Sequence, residues 1–171
     1  GDGAGFEVVA QQVKEQLNTG WGRESFDYLL NNAGIGITAP FAQTSEAQFD
    51  ELMNIHLKGP FFLTQRLLPL LADGGRILNV SSGLARFTQP GSGTYAAMKG
   101  AMEVLTVYQA KELGERGISA NIIAPGATET DLGRGRALDT AQLKEPLASH
   151  TPPRRVGLPD DIGDAVAALL S

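Results

Sequence analysis

Tyr95 and Lys99 stand four residues apart in the run Tyr95-Ala96-Ala97-Met98-Lys99. On a helix that spacing puts the phenol and the ammonium on one face. A nearby cation favours phenolate and lowers a tyrosine pKa from its reference near ~10. Such a tyrosine can give a proton to a carbonyl oxygen, or take one from an alcohol, near neutral pH. Alone the pair says little, because solvated helix faces carry the same spacing. Ser82 strengthens it: this residue ends an apolar run ahead of Tyr95, where its hydroxyl can project over the same crevice. Asn54 is a further polar group on a largely apolar segment. Each feature also has a plainer reading. Ser81 or Ser82 could cap a turn, and Asn54 could be a satisfied polar residue inside a helix. Asn31-Asn32-Ala33-Gly34 could simply end a strand. Pro125-Gly126 could be a turn followed by solvated Thr128 and Thr130.

The elements that must hold these groups are legible in the periodicity. Phe6, Val9, Val13 and Leu17 recur at helical steps, and Asn18-Thr19-Gly20-Trp21-Gly22 ends that helix. Phe26–Leu30 reads as a short apolar strand closed by Asn31-Asn32-Ala33-Gly34. Ser45-Glu46-Ala47-Gln48 matches a capping box, opening a helical pattern to about Ala72 with an irregularity expected at Gly59-Pro60. Asp73-Gly74-Gly75 stops it, and Arg76–Ser81 is a strand apolar enough to be buried on both faces. A helix is expected over Gly93–Arg116, ended by Gly117, then a strand over Ile118–Ile123 leading into Pro125-Gly126. A short helix is expected near Ala141–Ala148, and Pro159 opens the last one. Strand alternates with helix and no strand runs into a hairpin, so the fold expected is α/β, a doubly wound parallel sheet of Rossmann-like form built from right-handed crossovers. Residues 1–171 form one domain in this reading. Ligands in such sheets bind beyond the carboxyl ends of the strands. Asn31–Gly34, Ser81–Ser82 and Pro125–Asp131 all fall there.

Composition narrows the function classes. Of 171 residues, 42% are hydrophobic and 19% charged, enough apolar material for a sizeable core. The net charge of −5 argues against a nucleic-acid partner. The absence of cysteine excludes disulfides, thiolate metal sites and cysteine nucleophiles, and two histidines cannot build a histidine-rich metal site. No metal is therefore expected. The longest apolar stretch is broken by Lys58, Gln65 and Arg66, so no membrane span is expected and a cytoplasmic location is.

The conjunction Asn31-Asn32-Ala33-Gly34, Asn54, Ser82, Tyr95-x-x-x-Lys99 and Pro125-Gly126 resembles, in order and spacing, the short-chain dehydrogenase/reductase family. The resemblance covers essentially the whole chain. It implies an oxidoreductase that interconverts a carbonyl and an alcohol with NAD or NADP, hydride passing between the nicotinamide and the carbonyl carbon. Tyr95 would then be the general acid/base, Lys99 the lysine on the nicotinamide ribose, and Ser82 the hydrogen-bond partner of the substrate oxygen. Asn54 would position a water that links Lys99 to solvent. Asn32-Ala33-Gly34 would lie beside the cofactor ribose. Pro125, Gly126, Thr128 and Thr130 would surround the nicotinamide. The resemblance also implies a homo-oligomer, dimer or tetramer, pairing through the two long helices. A non-catalytic nucleotide-sensing or interaction module, and an epimerase-type enzyme on the same fold, are the alternatives. Retention of Ser82, Tyr95 and Lys99 together argues against the first. The Asn31–Gly34 segment and the short chain after Pro125-Gly126 argue against the second.

Some features are set aside. Gly1-x-Gly3-x-Gly5 is not a dinucleotide fingerprint, since no strand precedes it. His56 reads as a helix-face residue, and Arg134, Arg136, Arg154 and Arg155 as solvated loop charge. Leu84, Phe87 and the loop from Thr130 to Gly157 are expected to shape the substrate pocket. The family's glycine-rich phosphate loop, its cofactor-selecting strand and its closing strand have no counterpart in these residues, and a longer parent protein is expected to carry them.

Overall fold

Three runs, Phe26–Asn31 (β1), Leu71–Val80 (β2) and Ser119–Ile123 (β3), lie side by side in that order as a parallel sheet in a computed structural model. The structure describes residues 3–129, 148–149, 151 and 153–171. Helix α1 (Gly3–Trp21) precedes β1. Helices α2 (Glu46–Met53) and α3 (Gly59–Leu67) lie between β1 and β2, and α4 (Gly93–Leu113) between β2 and β3. Helix α5 (Pro159–Leu170) closes the chain. This is the doubly wound α/β architecture the alternating pattern predicts. The short helix expected at Ala141–Ala148 lies almost wholly outside the described residues.

Strand β2 is covered on both faces over Ile77–Asn79, and its sequence accordingly carries no alternation there. Ile77, Leu78 and Asn79 follow one another and are all 0% exposed. Successive strand residues point to opposite faces, so both sides of β2 are packed. Ile77 joins Leu71, Ile118 and Ala120 in the core, with Leu113 of α4 and Leu68 beyond α3 against it. On the other face Arg76 reaches the end of α5, its Nε donating to the Leu170 carbonyl at 3.1 Å.

The one polar residue in that buried run is tied into a network. Asn79 Nδ2 donates to Thr106 Oγ1 and Gln109 Oε1 of α4, both at 2.8 Å. Its Oδ1 accepts from Asn31 Nδ2 at 2.8 Å, and Asn31 also donates to Thr64 Oγ1 of α3 at 3.0 Å. Asn79 therefore fastens the end of β1 and two helices to the central strand. Asn79→Leu strips these partners in a dry setting and should cost about 1–3 kcal/mol. Chemical denaturation measures it, and a loss below about 0.5 kcal/mol, the scale of an ordinary surface change, would contradict the network's role.

The long helical pattern between β1 and β2 is broken where Gly59-Pro60 suggests. The capping box at Ser45 forms, with Gln48 N–H on Ser45 Oγ and Ser45 N–H on Gln48 Oε1. After Met53 the chain widens into a π turn over Asn54–Lys58. Pro60 has no amide hydrogen for the His56 carbonyl, and Gly59 N–H reaches five residues back to Asn54. A side chain at Gly59 would bring its Cβ to 2.9 Å from the Asn54 carbonyl oxygen, so only glycine fits that approach.

Strand β2 begins at Leu71, five residues before the expected start. Its first pairs, Phe26 with Leu71 and Tyr28 with Arg76, enclose a register shift. The Asp73-Gly74-Gly75 turn sits in that shift, with Gly74 at φ +77°. The turn chemistry reads correctly from the sequence, but pairing resumes on both sides of it. Helix α4 ends at Leu113, and a 3₁₀ turn carries the chain to Gly117 at φ +64°.

Candidate active site

The carboxyl ends of β1 and β2, the segment after β3 and the first turns of α4 converge on one crevice. Backbone bonds fix its floor: Ser81 N–H donates to the Ile123 carbonyl at 2.7 Å and Gly83 N–H to the Pro125 carbonyl at 2.8 Å. Strand alternation then sorts the two serines. Ser81 turns into α4 and is buried, its Oγ on the Lys99 carbonyl at 3.2 Å and Glu103 Oε1 at 2.8 Å. Ser82 faces the other way, half-buried, with its hydroxyl accepting from Leu84 N–H at 3.2 Å. The sequence alone favours Ser82 over Ser81, and the geometry gives the reason: only Ser82 is not committed to holding α4.

Helix α4 delivers Tyr95 and Lys99 on one face, as their spacing requires. Lys99 Nζ lies 5.7 Å from the centroid of the Tyr95 ring. The lysine is 5% exposed and donates to the Val80 carbonyl at 2.7 Å. Burial draws its pKa down to about 8. Tyr95 departs from expectation. Burial pushes the phenol above its ordinary value, and the Ser82 hydroxyl beside it pulls it back in part. The lysine was expected to lower the phenol, but its ammonium is turned onto Val80 and desolvation of the ring outweighs it.

The remaining expected residues divide. Asn32 and Ala33 are exposed and Gly34 half-buried, all immediately beyond β1. Ala39, further along that loop, donates to the Gly91 carbonyl at 2.9 Å, which ties the loop to the approach of α4. Pro125 and Gly126 border the crevice. A Cβ added at Gly126 would meet nothing within 4 Å, and Thr128 Oγ1 donates to the Gly126 carbonyl at 3.2 Å. Thr130, Arg134 and Arg136 lie outside the described residues. Arg154 and Arg155 are engaged locally, Arg154 with the Ser149 carbonyl and Arg155 with Asp161 at 2.6 Å.

Asn54 and His56 lie together in the π turn. Asn54 is half-buried at the head of the π turn, and among the described residues its side chain makes no hydrogen bond to Tyr95, Lys99 or Ser82. Its backbone carbonyl accepts from Gly59. His56, set aside in the sequence reading, is 1% exposed and meets the Tyr95 ring at 5.0 Å between centroids and 84° between planes. Burial first, then the charge of Lys99, holds its pKa down at about 4. The imidazole is therefore neutral at ordinary pH. The signal that points to it is the Gly59-Pro60 irregularity, which re-aims every side chain in that turn.

Together the crevice holds a hydroxyl beside a phenol, with a buried ammonium 5.7 Å from the centre of the phenol ring. That set can bind a carbonyl or alcohol oxygen and exchange a proton with it.

A family model described as "Enoyl-(Acyl carrier protein) reductase" matches residues 6–171. The chain is 34% identical to a 3-oxoacyl-[acyl-carrier-protein] reductase of Thermotoga maritima, over 94% of this chain and 64% of that one. It is 35% identical to a 3alpha-hydroxysteroid dehydrogenase of Mediterraneibacter gnavus, over 99% of this chain and 65% of that one. Among solved structures it resembles landomycin C-6 ketoreductase LanV with bound NADP and rabelomycin, at TM-score 0.84 and 35% identity, covering 97% of this chain and 62% of that one. The chain thus spans somewhat less than two thirds of the length of these relatives, 62–65%. With the parallel α/β sheet, the crevice at its strand ends and these matches in hand, the chain belongs to the short-chain dehydrogenase/reductase family.

Proposed function

We propose that the protein is a nicotinamide-dependent oxidoreductase that interconverts a small-molecule carbonyl and its alcohol. The observation that carries this reading is the convergence of Ser82, Tyr95 and the buried Lys99 at the sheet's carboxyl edge. Ser82 donates a hydrogen bond to the substrate oxygen, and Tyr95 gives that oxygen its proton in reduction or takes it in oxidation. Lys99 has three N–H donors, and one serves Val80. The other two suit the diol of a ribose, which accepts hydrogen bonds. The open approach at Gly126 and the exposed Asn32 and Ala33 leave room for a flat ring and its sugar. These residues therefore fit the nicotinamide riboside half of NAD or NADP, which when bound supplies or takes up hydride. Thr128 borders that space, and Thr130 follows it in sequence. Asn54, through its place in the π turn, would organise water near Lys99. The cited relatives include a 3-oxoacyl-[acyl-carrier-protein] reductase, a 3alpha-hydroxysteroid dehydrogenase and an NADP-bound ketoreductase, which supports the same chemistry. The test is to supply the full-length protein with NADH or NADPH and a panel of ketones. Ketone-dependent oxidation of either cofactor is expected, and its absence across the panel would remove the reading.

The same reading makes the enzyme a cytoplasmic homo-oligomer. An apolar groove of about 550 Å³ runs between the π turn, α3 and α4, on residues including Leu57, Phe61, Phe62, Val104 and Tyr108. Val104 and Tyr108 are 60% and 62% exposed. A second copy of this chain, presenting the same helices, covers such a self-complementary face. Light scattering of the full-length protein should show a dimer or tetramer, and Val104→Arg with Tyr108→Arg should shift it toward monomer. A wild-type monomer at micromolar concentration contradicts this.

A further inference from the structure

Ser82 and Tyr95 have to face one oxygen atom of a substrate, yet they come from different elements, the turn after β2 and helix α4. Their hydroxyls meet in the crevice, so that turn must be held against that helix. The backbone bonds of the turn go elsewhere: Gly83 N–H donates to the Pro125 carbonyl, and the Arg86 and Phe87 N–H groups return to Gly83. The Ser82 hydroxyl is aimed from within the turn, by Leu84 N–H. Among the described residues, the side-chain hydrogen bonds joining residues 80–86 to α4 are Lys99 on the Val80 carbonyl, Ser81 on the Lys99 carbonyl, and a pair that ends on Glu103.

Glu103 follows Tyr95 and Lys99 along the same row of α4, one step of four residues further on. Its two carboxylate oxygens take opposite ends of the turn. Oε1 accepts from Ser81 Oγ at 2.8 Å, just before Ser82. Oε2 accepts from Arg86 Nη2 at 3.3 Å, just after the 3₁₀ turn Gly83–Ala85. Ser81 has one hydroxyl proton, and the charged acceptor at 2.8 Å takes it in preference to the Lys99 carbonyl at 3.2 Å. That end is sheltered, since Ser81 is 2% exposed. The Arg86 end lies in solvent and adds little to stability, but it fixes where the turn closes.

We propose that Glu103 is a positioning residue of the proposed reaction: it clamps both ends of the Ser81–Arg86 turn to α4 and so sets the Ser82 hydroxyl against Tyr95. The inference rests on the oxidoreductase reading and deepens it. A misplacement of about 1 Å at a reacting centre costs up to about 10²-fold in rate. Here the turn keeps its backbone bonds to Ile123 and Pro125, so a smaller loss is expected.

In the full-length protein, Glu103→Leu should lower kcat roughly tenfold and leave cofactor Kd near wild type, since Lys99 keeps its Val80 bond. Glu103→Gln should recover most of the loss. Its amide accepts from Arg86 and donates to Ser81 Oγ, whose proton then goes to the Lys99 carbonyl. A cycle with Ser82→Ala separates positioning from general damage. Once the Ser82 hydroxyl is gone there is nothing left to position, so Glu103→Leu should then cost less than about twofold. Wild-type kcat in Glu103→Leu, no recovery with Glu103→Gln, or the same loss in both backgrounds overturns the proposal. Wild-type protein in the same assay keeps the two failures apart. If it turns over no ketone, the oxidoreductase reading fails; if it and Glu103→Leu are equally active, only this inference does. The clamp is also read without turnover, by amide hydrogen exchange. Glu103→Leu should speed exchange at Arg86 and Phe87 while Ile77–Asn79 stay protected. Arg86→Met, a change at an exposed side chain, should do the same in smaller measure and serves if Glu103→Leu does not fold. Unchanged exchange at those amides in every folded variant overturns the clamp.

Discussion

Tyr95→Phe is expected to lose about 10²–10⁴-fold in kcat while cofactor affinity stays near wild type. General acid–base groups contribute on that scale, which corresponds to about 3–5 kcal/mol of barrier. The substitution removes one oxygen and leaves the ring to meet His56 at the same distance and angle. Folding and cofactor contacts should therefore survive it. The raised pKa of the cofactor-free phenol adds a direction in pH. Tyr95 stays protonated through neutrality, the form that donates in carbonyl reduction. Oxidation of an alcohol needs the deprotonated form, so its rate should climb as pH rises. Residual turnover above about a tenth of wild type would show that some other group carries the proton. Steady-state kinetics with a cofactor titration separates the two quantities.

Lys99→Met should pull activity and stability in opposite directions. Activity falls because the ribose loses its ammonium partner, so cofactor Kd rises and kcat drops. Stability rises because a charged lysine is held in a nearly dry position, 5% exposed. Its pKa falls from an ordinary 10.5 to about 8. At roughly 1.4 kcal/mol per pH unit that is about 3 kcal/mol carried by the fold to keep the charge. The pH window follows from the sign. Below about pH 8 both folded and unfolded states hold the proton and the penalty is complete. Between about 8 and 10.5 the folded state sheds its proton first, so wild-type stability climbs with pH. The gain from Lys99→Met should accordingly be largest at neutral pH, about 1–3 kcal/mol once the lost Val80 hydrogen bond is subtracted, and fade on the alkaline side. Denaturant melts across pH measure it. A destabilised Lys99→Met protein at pH 7 would show that the ammonium's hydrogen bonds outweigh its desolvation.

The sequence carried the architecture because its signals are local. Capping at Ser45, the left-handed glycine at Gly117 and proline at the start of α5 mark boundaries without reference to the rest of the fold. The unbroken apolar run through Ile77 and Leu78 announced a strand covered on both faces. Tyr95 and Lys99 share a face because α4 is regular between them. The depth at which His56 is buried was not legible, for the converse reason. Counting in steps of 3.6 assumes an unbroken helix, and the π turn over Asn54–Lys58 inserts an extra residue between α2 and α3. Residue spacing alone therefore does not register that His56 is buried. The start of β2 was placed late because a bulged strand and a turn share one glycine signature at Gly74-Gly75. Tyr95's protonation was misjudged because composition and spacing register the neighbouring charge but not the depth of burial. Tertiary packing decided that balance, and no local pattern records it.

The central claim, hydride chemistry with the proton handled at Tyr95, is tested most directly by following one hydrogen. The full-length protein is incubated with cofactor carrying deuterium at the nicotinamide C4, in ordinary water, with a ketone it turns over, and the product is weighed by mass spectrometry. The account predicts one deuterium on the carbinol carbon, an unlabelled hydroxyl, and no such product from Tyr95→Phe at comparable times. An alcohol without deuterium at carbon, or equal labelled product from the Tyr95→Phe protein, would contradict it.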